Sequence, residues 1–319
     1  MEMNLAVAYT EYQLLQIESL IWHYDLKNVM LIVHNNNNRI SDWLIDHSLF
    51  DKVIQLPVGE RSTLYNLSKE YIRNNCSAIS ELLGDKKINI LIGAQDENTV
   101  FAIIKYYAKP KQYWNVEDGN ANYVKQNIRY RSELFLKKML FSLYGYSKLD
   151  IRYGHGLVKA DKIFRIYPKL SMGNKDCIFL GDCLGNYLKE KTEKIRSKIN
   201  WIEQYKNFDT LVVSDVALIP AIQNKHSANE LYKFHPDTRV KEENITYIKE
   251  KIPIEFLPLL LNNLKTVRYD YYSGSILNML VFNFDVKIQI NYTPPDKVYG
   301  LYLKKVIQEF RNKVEVISC

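Results

Sequence analysis

The sequence contains few cysteines and no long hydrophobic run. Four cysteines occur among 319 residues, and none of them forms a CxxC pair or a zinc-ligand spacing. A disulfide-stapled scaffold and a zinc domain are therefore not expected, and a reduced, cytoplasmic chain is predicted. The longest apolar runs, such as 256–261, are far shorter than the ~20 residues of a membrane span. Any membrane contact is therefore expected to be peripheral.

Short motifs that identify several large enzyme classes are missing as well. Neither GxxxxGK[ST] nor a GxGxxG after a strand occurs, which weighs against P-loop and dinucleotide enzymes. HExxH, GxSxG and EF-hand patterns are absent too. The chemistry must therefore be sought in less standard clusters of residues.

Basic residues outnumber acidic ones, and the net charge is +7. Such a surplus suits nucleic acid, an anionic membrane face or a phosphorylated small molecule. The densest basic run, 189–198, is interrupted by acids, which is typical of a solvated helix face. Nucleic-acid binding is therefore not expected.

Apolar strands alternate with helical patterns along the chain. The first half predicts strands and helices in alternation, with strands at 5–9, 29–33, 52–56, 88–92 and 112–116 and helices from Thr10 and near 41–48, 62–83, 97–107 and 120–142. A second series predicts strands at 177–180, 210–214, 231–234 and 280–284 and helices near 184–206, 241–250, 254–264, 296–312 and from Ser275. This rhythm is typical of parallel α/β sheets. We expect two Rossmann-like domains, 1–165 and 166–319, facing each other across a cleft. Ligands bind such sheets outside the carboxyl ends of the strands.

Two adjacent carboxylates follow the predicted strand at 112–116. Glu117 and Asp118 precede Gly119 and Asn120 at the mouth of the first domain. A paired acid at a strand end can serve as general base if it is held near a substrate hydroxyl. An ordinary acidic turn that caps the next helix is the alternative explanation.

A histidine and two serines occupy comparable positions in the second half. His235 follows a predicted strand and precedes Pro236, so it can donate a proton or hydrogen bond to a departing phosphate. A surface histidine in a proline turn is the alternative. Ser273, Gly274 and Ser275 open a helix, and the free amides of a helix start can bind an anion. Simple N-capping also explains the serines.

Taken together, these clusters resemble the motifs of the bacterial sialyltransferases that build lipooligosaccharide and capsule. That family has an acidic-acidic-Gly motif, then His-Pro, then a Ser/Thr-rich motif, in the order seen here. Thr10-x-x-Gln13 after the first strand is similar to a segment of the lipooligosaccharide branch, and so is Pro253-x-Glu255, whose acid approaches the donor ribose. The family has two adjacent hydroxyl residues, whereas Gly274 separates the serines of this chain.

The resemblance implies a GT-B glycosyltransferase fold and an inverting, metal-independent transfer. N-acetylneuraminic acid would move from CMP-sialic acid to a terminal galactose or N-acetylgalactosamine of a capsule or lipooligosaccharide glycan. Glu117, placed first, or Asp118 would act as base, and His235 would stabilise the leaving phosphate, aided by Ser275 and Lys233. The donor contacts that the resemblance assigns are Thr10, Gln13, Gly119, Asn120, Lys233, Pro236, Glu255, Ser273, Gly274 and Ser275. The first domain would hold the acceptor and the second domain the donor, with the C-terminal helix crossing back.

Several alternatives stay open at this point. Another nucleotide sugar fits the same fold, and so does a non-catalytic relative that binds glycan or nucleotide. The sialyl linkage, the acceptor and a homodimeric state are not determined. A basic C-terminal helix provides a surface for an anionic membrane face, although a solvated helix face explains it too, through Lys304, Lys305, Arg311 and Lys313.

Overall fold

The chain divides into two compact units, Met1–Leu184 and Gly185–Cys319. The computed structural model describes residues 2–34, 40–56, 68–94, 99–117, 123, 128–150, 159–171, 176–215, 218, 227–234, 245–271, 273–292 and 297–318.

The first unit is a parallel sheet with helices in the connections. Its strands are β1 (Glu2–Ala8), β2 (Val29–Val33), β3 (Lys52–Gln55), β4 (Lys87–Gly93), β5 (Gln112–Asn115), β6 (Lys162–Arg165) and β7 (Cys177–Phe179). Its helices are α1 (Glu11–His23), α2 (Lys69–Leu83), α3 (Thr99–Ala108), α4 (Ile128–Leu143) and the start of α5 (Gly181–Arg196), which contains the point of division. Short 3₁₀ turns occupy Asp42–Leu44, His47–Leu49 and Pro168–Leu170.

The strand order in this sheet is β3-β2-β1-β4-β5-β6-β7, and every pair of neighbours is parallel. The order reverses between β1 and β4, so a ligand crevice is expected at the carboxyl ends of these two strands. Buried apolar runs in β1 and β2 explain the central position of both strands, because helices cover the two faces of a parallel sheet.

Close packing at the end of β4 requires a glycine. A Cβ added to Gly93 would lie 2.6 Å from Cε2 of Phe101 in α3 and 3.2 Å from the Val7 carbonyl oxygen. Both neighbours are buried in the same hydrophobic core. The absence of a side chain therefore lets α3 approach the sheet next to the expected crevice.

The second unit is a smaller parallel sheet. Its strands are β8 (Thr210–Ser214), β9 (Glu230–Phe234), β10 (Thr266–Tyr269), β11 (Lys287–Asn291) and β12 (Val314–Ser318). The rest of α5 is followed by α6 (Leu257–Leu260), α7 (Ser275–Phe282), α8 (Lys297–Glu309) and the 3₁₀ turns Trp201–Tyr205 and Ile254–Phe256. The order β12-β11-β10-β8-β9 is parallel throughout and places the reversal between β8 and β10.

The structure corrects several expected elements. The strand expected to open the second half, β7, pairs with β6 and completes the first sheet. The division at Leu184 therefore lies later in the chain than the expected boundary between 165 and 166. A strand followed by a helix has the same sequence pattern whether it closes one sheet or opens another, so only the pairing decides its membership.

The expected strand at 280–284 is also wrong. Residues up to Phe282 continue α7, and Asn283 ends that helix in the left-handed region at φ 53°. A short apolar run fits a helix or a strand equally well. The strand forms later instead, as β11, while β10 and β12 were not expected at all. The helix expected near 41–48 consists of two 3₁₀ turns. Residues 245–250, the described part of an expected helix, are not helical.

Candidate active site

The first candidate segment lies at the junction between β1 and α1. Thr10 is the N-cap of α1, and its hydroxyl accepts a hydrogen bond from the Gln13 backbone N–H at 3.2 Å. The buried Gln13 side chain in turn accepts from the Tyr9 backbone N–H at 3.0 Å. These bonds fix the turn that follows β1. Contact of Thr10 and Gln13 with a donor stays a prediction.

Glu117 lies two residues after the end of β5, and its carboxylate accepts three hydrogen bonds. Oε2 accepts a hydrogen bond from the Tyr12 hydroxyl of α1 at 3.0 Å. Oε1 accepts from the Ile166 backbone N–H at 2.5 Å and from the Tyr123 hydroxyl. The backbone of Glu117 is fixed as well, because its N–H and C=O both pair with the side-chain amide of Gln16.

The Glu117 carboxyl is buried, with 1% of the residue exposed. Burial raises the pKa of Glu117 above its ordinary value, while the Arg165 guanidinium and the hydrogen bonds from Tyr123, Ile166 and Tyr12 act in the opposite direction. Arg165 is itself fully buried. It donates to the Asn115 side-chain oxygen at 2.8 Å and to the Phe164 carbonyl at 2.7 Å.

These contacts join the ends of β5 and β6 to the first turns of α1. Glu117 is the central acceptor of this network, and its oxygens already receive three donors. The other members of its motif, Asp118, Gly119 and Asn120, lie outside the described residues, so their contacts are not assigned. The network therefore fixes the backbone at the point where the motif begins.

Sequence reasoning missed most partners of Glu117. Tyr12 lies inside the Thr10-x-x-Gln13 segment, and its spacing from Gln16 places both on one face of α1. Arg165 had no comparable signal, because its strand lies in a stretch with little regular pattern. Arg165 is the last residue of β6, a strand that the sequence pattern did not predict.

In the second unit the serine motif lies between β10 and α7. The Ser275 hydroxyl is 3.0 Å from the Tyr269 hydroxyl and 2.9 Å from the Ser273 hydroxyl. Ser275 also donates its backbone N–H to the Ser273 hydroxyl at 3.3 Å. Tyr269 is fully buried, and burial raises its pKa. Ser275 is buried and Ser273 is partly exposed, so the hydroxyls form a chain from the core toward the surface.

Glu255 belongs to the same neighbourhood. Its Oε1 accepts a hydrogen bond from the side-chain amide of Asn278, in α7, at 2.6 Å. Its charge also acts on Tyr269. The structure thus brings together Glu255, Ser273 and Ser275, which the sequence placed about twenty residues apart. Gly274 is the N-cap residue of α7 and makes no side-chain cap.

Lys233 is buried in β9, and its ammonium donates to the Glu250 carbonyl oxygen at 2.8 Å. The strand ends at Phe234, one residue before His235. His235 and Pro236 lie outside the described residues. Lys233 thus has a backbone partner, and its contact with a donor phosphate stays a prediction.

Two further features were compared with the candidate residues, namely possible metal ligands and a cavity in the second unit. Within the described ranges, no three His, Cys, Asp or Glu side chains cluster in a way that could hold a metal ion. A cavity of about 360 Å³ in the second unit is lined at the amino ends of β11 and β12, including Lys287 and Val314. The serine motif follows the carboxyl end of β10, so it is not part of this cavity.

Comparison with known proteins supports the fold. No protein-family model and no curated protein sequence matches the chain. A UDP-GlcNAc 2-epimerase from Neisseria meningitidis, solved with UDP-GlcNAc, aligns with a TM-score of 0.55 and 11% identity over 98% of this chain and 92% of that chain. A spinosyn forosaminyltransferase aligns with a TM-score of 0.54 and 8% identity over 100% and 86%. At these identities the similarity concerns the fold alone.

A sialyltransferase from Photobacterium damsela aligns more weakly, with a TM-score of 0.45 and 13% identity over 99% of this chain and 81% of that chain. This value is too low to support an argument about activity. The expected fold class is nevertheless confirmed, since the chain has the two-domain, Rossmann-like α/β architecture of GT-B proteins.

Proposed function

We propose that this GT-B-fold chain is an inverting sialyltransferase that moves sialic acid from CMP-sialic acid to a terminal galactose or N-acetylgalactosamine of a bacterial capsule or lipooligosaccharide glycan. One observation carries the proposal. Four of the five predicted motifs fall just after the carboxyl end of a strand, where parallel sheets bind ligands, and the exception is Pro253-x-Glu255. Thr10 follows β1, Glu117 follows β5, His235 follows β9 and Ser273 follows β10.

We assign the general base to Asp118 and a positioning role to Glu117. The Glu117 carboxyl is buried and accepts hydrogen bonds from Tyr12, Tyr123 and the Ile166 backbone. A base must reach a substrate hydroxyl directly or through one water, and these donors occupy the oxygens that would do so. Glu117 thereby fixes the backbone directly before Asp118.

On the donor side, we assign phosphate contact to Ser273 rather than Ser275. The Ser275 hydroxyl is buried and already lies between the Tyr269 and Ser273 hydroxyls. Ser273 is the more exposed end of this chain of hydroxyls. The Tyr269–Ser275 contact would then orient Ser273. We assign the contact with a ribose hydroxyl to Glu255, whose Oε1 accepts a hydrogen bond from Asn278.

The proposed reaction is a single displacement. The acceptor hydroxyl loses its proton to Asp118 while its oxygen forms a bond to the anomeric carbon. The bond between that carbon and the phosphate oxygen breaks at the same time, and CMP leaves with the electron pair. His235 and Ser273 stabilise the negative charge that develops on the phosphate. Inversion follows from one attack on the face opposite the leaving group, and a monophosphate leaving group does not require a metal.

The test is transfer from CMP-sialic acid to lactose in the presence of EDTA, with CMP and sialyl-lactose both quantified. We expect Asp118→Asn to lower kcat by about 10²–10⁴-fold, the usual contribution of a general base. We expect His235→Ala to lower kcat by roughly 10²–10³-fold, because phosphate stabilisation is lost. Glu117→Gln should have the smaller effect on kcat and the larger effect on thermal stability.

Matched controls are Asp25→Asn, at an exposed position with φ 49° that suits asparagine, and His47→Ala at an exposed position. Both should retain full transfer. A stable Asp118→Asn enzyme with unchanged kcat, beside an inactive Glu117→Gln enzyme, would reverse the base assignment. Release of UDP from UDP-sugars with no release of CMP would replace the donor. Nucleotide binding without turnover of any donor would indicate a non-catalytic relative.

A further inference from the structure

The helix α4 in the first unit is apolar on two opposite sides. Phe141 points into the hydrophobic core and is buried there, with Leu140 and Tyr144 packed beside it. On the outside, 71% of Phe135 and 73% of Leu143 are exposed. A surface helix normally presents charged and polar residues to water, so the outer face of α4 needs a separate explanation.

The exposed apolar residues form one continuous strip. Phe135, Leu136, Met139 and Leu143 are all exposed. At 100° per residue, their positions fall within a sector of about 100° around the helix axis. We call these four residues the α4 strip. Scattered single hydrophobic residues on a surface are ordinary, whereas a contiguous apolar strip marks an interaction site.

Basic residues accompany the α4 strip. The sequence of α4 has four bases and one acid, namely Arg129, Arg131, Lys137, Lys138 and Glu133. Lys138 is exposed and borders the strip, and the exposed Lys148 follows the helix. Apolar and basic side chains on one helix are the combination that binds at the interface of an anionic bilayer. The chain as a whole is also basic, with a net charge of +7.

We propose that the α4 strip docks this protein on an anionic lipid surface. The helix has 16 residues and lies flat, with Phe135 and Leu143 inserted among the acyl chains and Lys138 at the headgroups. In the described ranges, no helix is both long enough and apolar enough to cross a bilayer. The proposal rests on the exposed surface of α4 and does not depend on the donor or on the reaction.

A second copy of the chain is the less suitable occupant. A two-fold contact pairs a surface with itself, so it would bring the basic residues of two α4 helices together. An anionic bilayer instead supplies charges of the opposite sign along the whole length of the helix. Charge complementarity therefore favours lipid as the partner.

The experiment is sedimentation of the full-length protein with vesicles of phosphatidylglycerol and phosphatidylethanolamine, beside vesicles of phosphatidylcholine alone. We expect binding to the anionic vesicles that weakens with added salt. Replacing Phe135 and Leu143 together by serine should lower the partition coefficient at least about tenfold, because both side chains lose their apolar contact. Lys138→Gln should lower it roughly fivefold.

Leu301→Ser is the matched control, since Leu301 is an exposed leucine of α8, the basic C-terminal helix. It should leave vesicle binding unchanged. Circular dichroism and thermal unfolding would verify that every variant is folded. Wild-type protein that fails to bind anionic vesicles at low salt would overturn the proposal. Loss of binding in Leu301→Ser alone would overturn it too. A dimer that dissociates when the α4 strip is mutated, without vesicle binding, would assign the strip to a second copy instead.

Discussion

At the scale of single residues, the central feature is two buried ionisable groups whose charges interact, Glu117 and Arg165. Glu117 and Arg165 are both removed from solvent, and each has hydrogen-bond partners of its own. Breaking a buried pair by removing one partner is costly, because the other charge is left uncompensated. The hydrogen bonds of both groups therefore fix the ends of β5 and β6, directly before the residue that we propose as base.

The buried His34 allows the effect of burial on a histidine pKa, and hence on stability, to be tested. It follows β2 and is 2% exposed, with its ring edge-on to Tyr9. In the described part of the chain, neither ring nitrogen has a hydrogen-bond partner. Burial lowers the pKa of His34 from 6.5 to about 4. The unfolded chain therefore binds a proton between these pH values that the folded chain does not.

The contribution of His34 to stability is thus complete above pH 6.5 and is lost as the pH falls toward 4. We expect wild type to lose roughly 3 kcal/mol of unfolding free energy over this range through His34. His34→Gln should show a correspondingly flatter pH dependence in urea unfolding. His47→Gln, at an exposed position, should follow wild type. Parallel curves for wild type and His34→Gln would show that His34 titrates alike in both states.

At the scale of secondary-structure elements, the position of the site depends on how helices meet strand ends. In the first unit, Tyr12 and Gln16 of α1 hold Glu117 at the end of β5. In the second unit, α7 supplies Ser275 and Asn278, while β10 supplies Tyr269. In both units a strand-to-helix junction carries the candidate residues, which is the usual place for ligand contacts in parallel sheets.

Alanine substitution is expected to have opposite effects on stability at two glycines, one in tight packing and one inside a helix. Gly93→Ala would place a Cβ within 2.6 Å of Phe101 and 3.2 Å of the Val7 carbonyl, so we expect a loss of about 1–3 kcal/mol from overpacking. Gly185→Ala lies inside α5, where the new Cβ would meet Phe282 at an ordinary 3.5 Å. There we expect a gain of up to ~1 kcal/mol from helix propensity.

Urea unfolding of the two single variants would test both signs. A Gly93→Ala protein as stable as wild type would mean that Phe101 has room to move, and that the glycine is not required by packing. Destabilisation of Gly185→Ala would contradict the helix-propensity argument and indicate strain that the described contacts do not show.

At the scale of the whole molecule, each unit has its own sheet and its own candidate residues. The first unit contains Thr10 and Glu117, and the second contains Lys233, Glu255 and Ser273. The assignment of the acceptor to the first unit and of the donor to the second stays a prediction, and the chain divides after β7.

Hydrogen–deuterium exchange with CMP would test this division. We expect slower exchange in the segment from β10 through α7 and around Glu255, because these backbone groups become ordered when the nucleotide binds. The core strands β1 and β2 should exchange at the same rate with and without CMP. UMP serves as the control nucleotide. Protection confined to the first unit would reverse the assignment of the donor-binding unit.

The sequence by itself determined the fold class and the location of Thr10, Glu117 and His235 relative to the strands. Alternating apolar strands and helices predict parallel sheets, and polar residues that follow a strand must lie at its carboxyl end. These inferences are local, since they depend on residues that are close in the chain. Ser273 and Ser275 were recognised at a predicted helix start, and Glu255 by the resemblance of Pro253-x-Glu255 to the sialyltransferase motif.

Only the tertiary structure decided the contacts between distant segments. The Tyr12–Glu117 hydrogen bond joins residues 105 positions apart, and the Ile166–Glu117 bond joins residues 49 apart. No local pattern encodes such pairs. The sequence ranked Glu117 first as base because it leads its motif, and its buried contacts are the reason that we propose an anchoring role instead. The membership of β7 and the exposed side of α4 were decided in the same way. Strand pairing and burial both depend on which surfaces the folded chain brings together.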